Sequence, residues 1–338
     1  MNTGLVDAGQ FGYISDTAFV FATVVYALAM TAHIAEWASA RRVAAPAAIR
    51  AQERVREPEP VGAGSPAGAA GAVGAPVDEL SDEELGTERY GRVGVSLTVL
   101  AFLTHLVGVG ARALAAERAP WGNMFEFATT GALAVTAAYL VALRLYRTRW
   151  LGLLVTVFVT IVLGIAMLTP AIYVAPGPLV PALHSYWLVI HVAAAALAGG
   201  AFCIGALSSL LYLLKSRAER RTAVEDRRGY LWRLPGSAEV DRVAYKVHAF
   251  AVPLWTFAVL AGAIWAEYAW GRYWGWDPKE TWAFITWVVY AAYLHARATA
   301  GWQGRNAAII ALVGFATFLF NFVGINLFAS GLHSYAGV

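Results

Sequence analysis

The sequence predicts an all-α fold: a polytopic membrane helical bundle of about eight transmembrane helices with both termini extracytoplasmic. Three observations predict it. Hydrophobic residues make up 59% of the 338-residue chain and charged residues only 14%, against about a quarter charged in a soluble domain; mean hydropathy is +0.56. The apolar residues gather in runs that approach the roughly 20 residues a helix needs to cross a ~30 Å hydrocarbon core. The basic residues, finally, collect in alternate connections.

In chain order the runs lie at about 17–37, 92–114, 125–143, 150–169, 186–214, 247–267, 282–296 and 307–328. The first fifteen residues carry no basic group and include Asp7, unlike a signal peptide, so the first span is expected to be retained. Residues 43–90 are rich in Ala, Gly, Pro, Val and Glu without helical or strand period, and read as a disordered cytoplasmic linker. The linker separates an N-terminal helix within 1–42 from a transmembrane core over 91–338. The seventh run is short in apolar terms, but Thr281 to Arg297 continues a helical pattern. The lone Cys203, inside the fifth run, reads as a small packing residue; one cysteine excludes an intrachain disulfide or a dithiol redox pair.

Charge sets the expected sidedness. Arg41 and Arg42 follow the first span, Arg144, Arg147 and Arg149 the third, Lys215 to Arg233 the fifth, and Arg297 and Arg305 the seventh. All four loops fall on one side of an eight-span bundle, which the positive-inside rule makes cytoplasmic. The 216–245 loop also carries Tyr230, Trp232 and Leu234. It either orders as a surface segment or only satisfies the charge bias, and the second reading is preferred.

The outer connection between spans six and seven holds the densest chemistry. Trp274-Gly275-Trp276-Asp277-Pro278-Lys279-Glu280-Thr281-Trp282 follows Trp265, Tyr268, Trp270 and Tyr273, within a loop placed at 265–282. Interfacial anchoring accounts for one or two aromatics per helix end, so this cluster points to a flat aromatic ligand. His191, near the outer end of span five, and His333, just past the last span, share that membrane face. Taken singly, each histidine reads as a hydrogen-bonded structural residue. Together, with an aromatic platform between them, they suit bis-axial ligation of a haem iron. His295 lies fourteen residues after Thr281, about 21 Å further along a helix, and is a candidate for a second, deeper ligand. The alternative is an interface residue beside Arg297. His184 is placed two helical turns from His191, His105 midway down span two, and His33 and His248 near hydrated cytoplasmic ends; these four stay outside the primary site.

The Trp274–Trp282 segment, with Ile285-Thr286-Trp287 and Tyr293-Leu294-His295 after it, resembles the WWD signature of the haem-handling protein family. Within that family the resemblance is to the CcsA group (also called CcsB or ResC) of system II cytochrome c biogenesis. Trp121-Gly122-Asn123-Met124-Phe125-Glu126-Phe127, the segment from Pro181 to Trp187 ending in His191, and Gly331-Leu332-His333-Ser334-Tyr335 fit as well. The likeness covers roughly 90–338. It implies that His191 and His333 ligate an external haem b, with Trp274, Trp276, Asp277 and Trp282 around it. It also implies that His295 ligates an inner haem whose other ligand comes from a ResB-like membrane subunit.

The resemblance further implies a subunit of a cytochrome c synthase (haem lyase) complex in the bacterial plasma membrane. Such a complex presents reduced haem at the outer face to an apocytochrome c carrying Cys-x-x-Cys-His, and an extracytoplasmic thioredoxin-like reductant is a further partner. The apocytochrome brings both thiols, so no nucleophile is required of this chain; no nucleic-acid partner is expected. A haem exporter without a role in attachment needs the same two sites. A membrane b-type electron carrier is the third reading, and the single convincing deep ligand counts against it.

Overall fold

The computed structural model describes residues 8–40, 82–178 and 183–333. They form α1 (Ala8–Ser39), α2 (Asp82–Ala116), α3 (Met124–Tyr146), α4 (Gly152–Leu168), α5 (Tyr186–Glu219), α6 (Ser237–Trp270), α7 (Pro278–Ala298) and α8 (Arg305–Phe328). There is no β-strand among the described residues. Seven of these helices are long and apolar enough to cross a membrane; α7 is the exception. Its 21 residues still extend about 31 Å at 1.5 Å per residue, so length suffices while composition falls short. The chain is an all-α, multi-pass membrane bundle.

Two boundaries differ from the sequence reading. Helix α2 begins at Asp82, so the end of the segment read as a linker over 43–90 is helical, and 41–81 lie outside the described residues. The outer loop read as 265–282 contracts to Gly271–Asp277, because α6 runs to Trp270 and α7 starts at Pro278.

The helices alternate in direction, and polar locks mark the two ends. Near the Trp-loop end, the buried Glu126 of α3 accepts from Arg112 Nε of α2 (3.0 Å), Arg118 Nη1 (2.7 Å) and the Gly122 amide (2.7 Å). At the opposite end Glu36 of α1 meets His33 Nδ1 (2.9 Å), Arg149 Nε (3.3 Å) and Tyr230 Oη (3.1 Å). Arg149 also makes a two-pronged pair with Glu88, at 2.8 Å through each terminal nitrogen. Buried ion pairs of this kind persist only where hydrogen bonds satisfy both partners. They tie α1, α2 and the turn before α4 into one unit.

Between the locks the core is apolar. Tyr139, Leu151, Val155 and Ile204 centre one cluster, and Phe202, Trp255, Tyr290 and Tyr293 another. Phe202 stacks on Tyr290 with ring centroids 3.9 Å apart. Gly200 brings α5 against α3: a Cβ there would lie 2.6 Å from the Ala134 carbonyl oxygen, the close backbone approach that small residues permit in membranes.

The 216–245 loop corrects the preferred sequence reading, because it is ordered and packed. Tyr230, Trp232 and Leu234 are buried; Tyr230 stacks on Trp37 of α1 at 4.6 Å, and Lys215 Nζ lies 4.3 Å from the Trp232 ring centre. Two histidines are also corrected. His33 and His248 are fully buried rather than hydrated: His33 pairs with Glu36, and His248 sits among Phe202, Tyr290 and Tyr293.

Candidate functional site

Helix α6 ends at Gly271, whose φ of +69° supplies the left-handed stop. The chain turns at once into α7 through a capping box. Asp277 is the N-cap and accepts from the Lys279 amide (3.2 Å); Pro278 follows at the first helical position, and Glu280 reaches back to the Asp277 amide (3.1 Å). Glu280 also takes the Gly275 amide at 2.8 Å. Much of the Asp-Pro-Lys-Glu run therefore builds the start of a helix. Trp276 sits at φ +59°, a conformation costly for a bulky residue.

Asp277 does more than cap. Its Oδ1 accepts from the Leu332 amide (2.8 Å) and its Oδ2 from His333 Nδ1 (2.9 Å). Gly331 is required at this crossing, since a Cβ there would collide with the carboxylate. Burial works to raise the Asp277 pKa, but the bonds from His333 and Leu332 outweigh it and hold the carboxyl below its ordinary range.

His191 is placed from the opposite wall. Ser185 caps α5, accepting from the Trp187 amide at 3.2 Å, and His191 follows in the second turn. Its Nδ1 donates to the Ala258 carbonyl of α6 at 2.7 Å. The ring stacks on Trp265 at 6.1 Å and presses on Gly262, where a Cβ would lie 2.7 Å from two ring atoms. His333 meets the same indole edge-on at 5.6 Å and Trp270 at 4.8 Å. Both imidazoles thus contact Trp265, each with Nδ1 already bonded and Nε2 remaining.

They line one cavity of ≈ 490 Å³, whose lining extends from Trp274 and Lys279 to Cys203. Cys203 lies twelve residues beyond His191 on α5, about 18 Å deeper in the bundle. The volume falls within the ~300–1,000 Å³ of ligand sites, and apolar walls with a few convergent polar groups are their usual lining. Among the described residues no three His, Cys, Asp or Glu side chains gather to hold a bare metal ion. Two imidazoles lining one aromatic cavity suit a macrocycle that brings its own equatorial nitrogens.

Not every residue singled out from the sequence meets here. His191, His333 and Trp274 line the cavity, and Asp277 stands behind His333. Trp276 is 65% exposed and edges Phe284 on the outside of α7, while Trp282 packs on Phe320 at 4.3 Å away from the cavity. His295 is exposed near the far end of α7, on an outward stripe with Phe284, Val288 and Ala292. His184 precedes the helix and is exposed, so the helical spacing assumed between it and His191 does not apply.

Trp265 is the residue that sequence reading left out of the site. Ala258, Gly262 and Trp265 follow the spacing of one helix face, a signal that becomes readable once His191 is known to pack there. The Trp121–Phe127 motif likewise resolves: Asn123 caps α3 by accepting from the Glu126 amide at 3.0 Å, Glu126 makes the lock, and Trp121 lines the cavity.

Fold and site together define a polytopic membrane protein with an aromatic, two-histidine cavity between one end of the bundle and its middle. The segment that builds this cavity is the part matched by the family described as "Cytochrome C assembly protein", residues 121–333. The chain is 35% identical over 298 residues to "Cytochrome c biogenesis protein CcsA" of a Synechococcus strain, covering 72% of this chain and 83% of that one. Proteins of the same name from Microcystis aeruginosa (36% over 287 residues, 72% and 87% covered) and Guillardia theta (36% over 261 residues, 72% and 85%) are similar to it as well. The chain belongs to the CcsA family of cytochrome c biogenesis proteins.

Proposed function

We propose that this chain binds reduced haem b between His191 and His333 and presents it, at the extracytoplasmic face of a bacterial plasma membrane, for attachment to apocytochrome c. The observation that carries the proposal is the convergence of the two imidazoles on Trp265 in one cavity, each with its Nδ1 engaged. Bound there, the haem supplies the vinyl groups that receive the thiols of the apocytochrome's Cys-x-x-Cys-His segment. The chain's own part is to hold and orient. Trp265 and Trp274 border the macrocycle, and Lys279, at the cavity wall, offers positive charge to a propionate. The fixed geometry supplies proximity. His191 or His333 would give way to the histidine of the incoming segment at handover.

His295 is assigned to a second haem shared with a ResB-like subunit. An imidazole on an outward stripe of α7 is costly against lipid, and a partner helix that supplies the opposite ligand removes that cost. A thioredoxin-like reductant that keeps the apocytochrome thiols free is the remaining partner.

The test is an optical spectrum of the full chain purified with its ResB-like subunit. Bis-histidine b-type absorption that is weakened in His191→Gly and in His333→Gly, and restored by imidazole, is the expected result; spectra indifferent to both substitutions overturn the proposal. A second reading, haem export alone, is favoured by the depth of the cavity below His191. Formation of thioethers by the purified complex supplied with external haem and apocytochrome decides for attachment, and failure under reducing conditions decides for export.

A further inference from the structure

We infer that Asp277 is the positioning residue for His333: its carboxylate fixes the Nδ1–H tautomer, holds Nε2 free for the iron, and makes His333 the stronger of two unequal ligands. The inference rests on the reading of His191 and His333 as an axial pair.

A helix cap alone does not account for what this carboxylate does. Capping α7 requires one bond, from the Lys279 amide. The two further bonds, from the Leu332 amide and from His333 Nδ1, both go to the segment that carries the ligand. Gly331 is the third sign of a built contact, because any side chain there would strike Asp277. The aromatic loop and the end of α8 are thereby joined through one side chain, and His333 is in place only when the loop is.

The two imidazoles have different acceptors at the same ring position. His191 donates to a neutral carbonyl at 2.7 Å, His333 to a carboxylate at 2.9 Å. A carboxylate partner makes a coordinated imidazole more basic and a better donor to iron. The effect is larger toward ferric than ferrous iron, since the added electron density stabilises the higher charge. Asp277 therefore lowers the reduction potential of the bound haem.

The experiment uses the full chain with its membrane partner and haem b. Asp277→Asn retains a good cap residue and removes the charge. Outer-shell losses of this kind weaken metal binding about 10–100-fold, and each tenfold loss of ferric preference raises a one-electron midpoint by about 59 mV. A midpoint unchanged in Asp277→Asn, with haem still bound, overturns the inference and leaves the axial pair standing. A wild-type chain that binds no haem overturns both. A second measurement keeps Asp277 native, and decides if the Asn variant does not fold. Imidazole and 1-methylimidazole, which has no N–H to donate, are titrated into the holes of His333→Gly and His191→Gly. Preference for imidazole should be about tenfold greater at the His333 hole, because the bond lost there is charge-assisted; equal preferences overturn the inference.

Discussion

Glu126 is the point at which one substitution should do most damage without touching the cavity. Glu126→Ala removes the acceptor of Arg112 Nε (3.0 Å), of Arg118 Nη1 and Nη2 (2.7 and 3.2 Å) and of the Gly122 amide (2.7 Å). Arg112 is fully buried and the Arg118 side chain is 11% exposed, so neither can turn to water. Arg112 keeps the Val174 carbonyl, a 3.8 Å approach to Asp16 and the faces of the Phe125 and Tyr173 rings, none of which supplies a full counter-charge at hydrogen-bond distance. Each charge-assisted bond is worth about 1.5–3 kcal/mol, but they share one carboxylate and do not add. Loss of one partner from a buried pair costs about 3–5 kcal/mol. Taking about 4 kcal/mol, the unfolding constant should rise roughly a thousandfold. Reversible unfolding by SDS in mixed micelles measures it. The double variant Arg112→Met, Glu126→Met should recover part of the loss, because the orphaned charge goes with its partner. A Glu126→Ala variant within about 1 kcal/mol of wild type would refute the claim that this cluster is desolvated.

Three further outcomes follow from the same geometry. Gly262→Ala places a methyl group 2.7 Å from the His191 ring, which should push it off the Ala258 carbonyl and lower haem content at a cost of about 1–3 kcal/mol; Gly110→Ala, with open space around it, is the matched control and should leave haem content unchanged. Trp232→Ala empties a buried indole site under Lys215 and should destabilise the bundle by about 3–5 kcal/mol in the same SDS assay, with Trp232→Phe intermediate. Burial, and then the hydrogen bond to Asp16 and its charge, raise the Tyr173 pKa above its ordinary value of 10.0. A phenol whose folded pKa is raised contributes stability below the unfolded value and loses it as pH rises through the folded one. Alkaline titration at the phenolate absorption band, wild type minus Tyr173→Phe, should therefore show this phenol still mainly neutral at pH 10.

The helices themselves were legible because each is a nearly continuous apolar run, and a membrane span needs little else. The WWD segment and the pairing of His191 with His333 were legible for a different reason, since rare residue types at a common depth stand out against Leu, Val and Ala. The chain itself therefore determined fold class, span order and the two ligand candidates. It did not determine which indole faces the cavity. Trp274, Trp276 and Trp282 are alike as letters, yet Trp274 lines the cavity, Trp276 is turned outward at a positive φ, and Trp282 packs on Phe320. Nor did it show that Trp265, before the motif, contacts both histidines. Those choices depend on where α5, α6 and the end of α8 meet. That is fixed by close contacts at Gly200 and Gly262 and by hydrogen bonds such as Asp277 to His333, 56 residues apart. Local pattern carries the burial preference of each residue; only packing in three dimensions decides what each buried face is buried against.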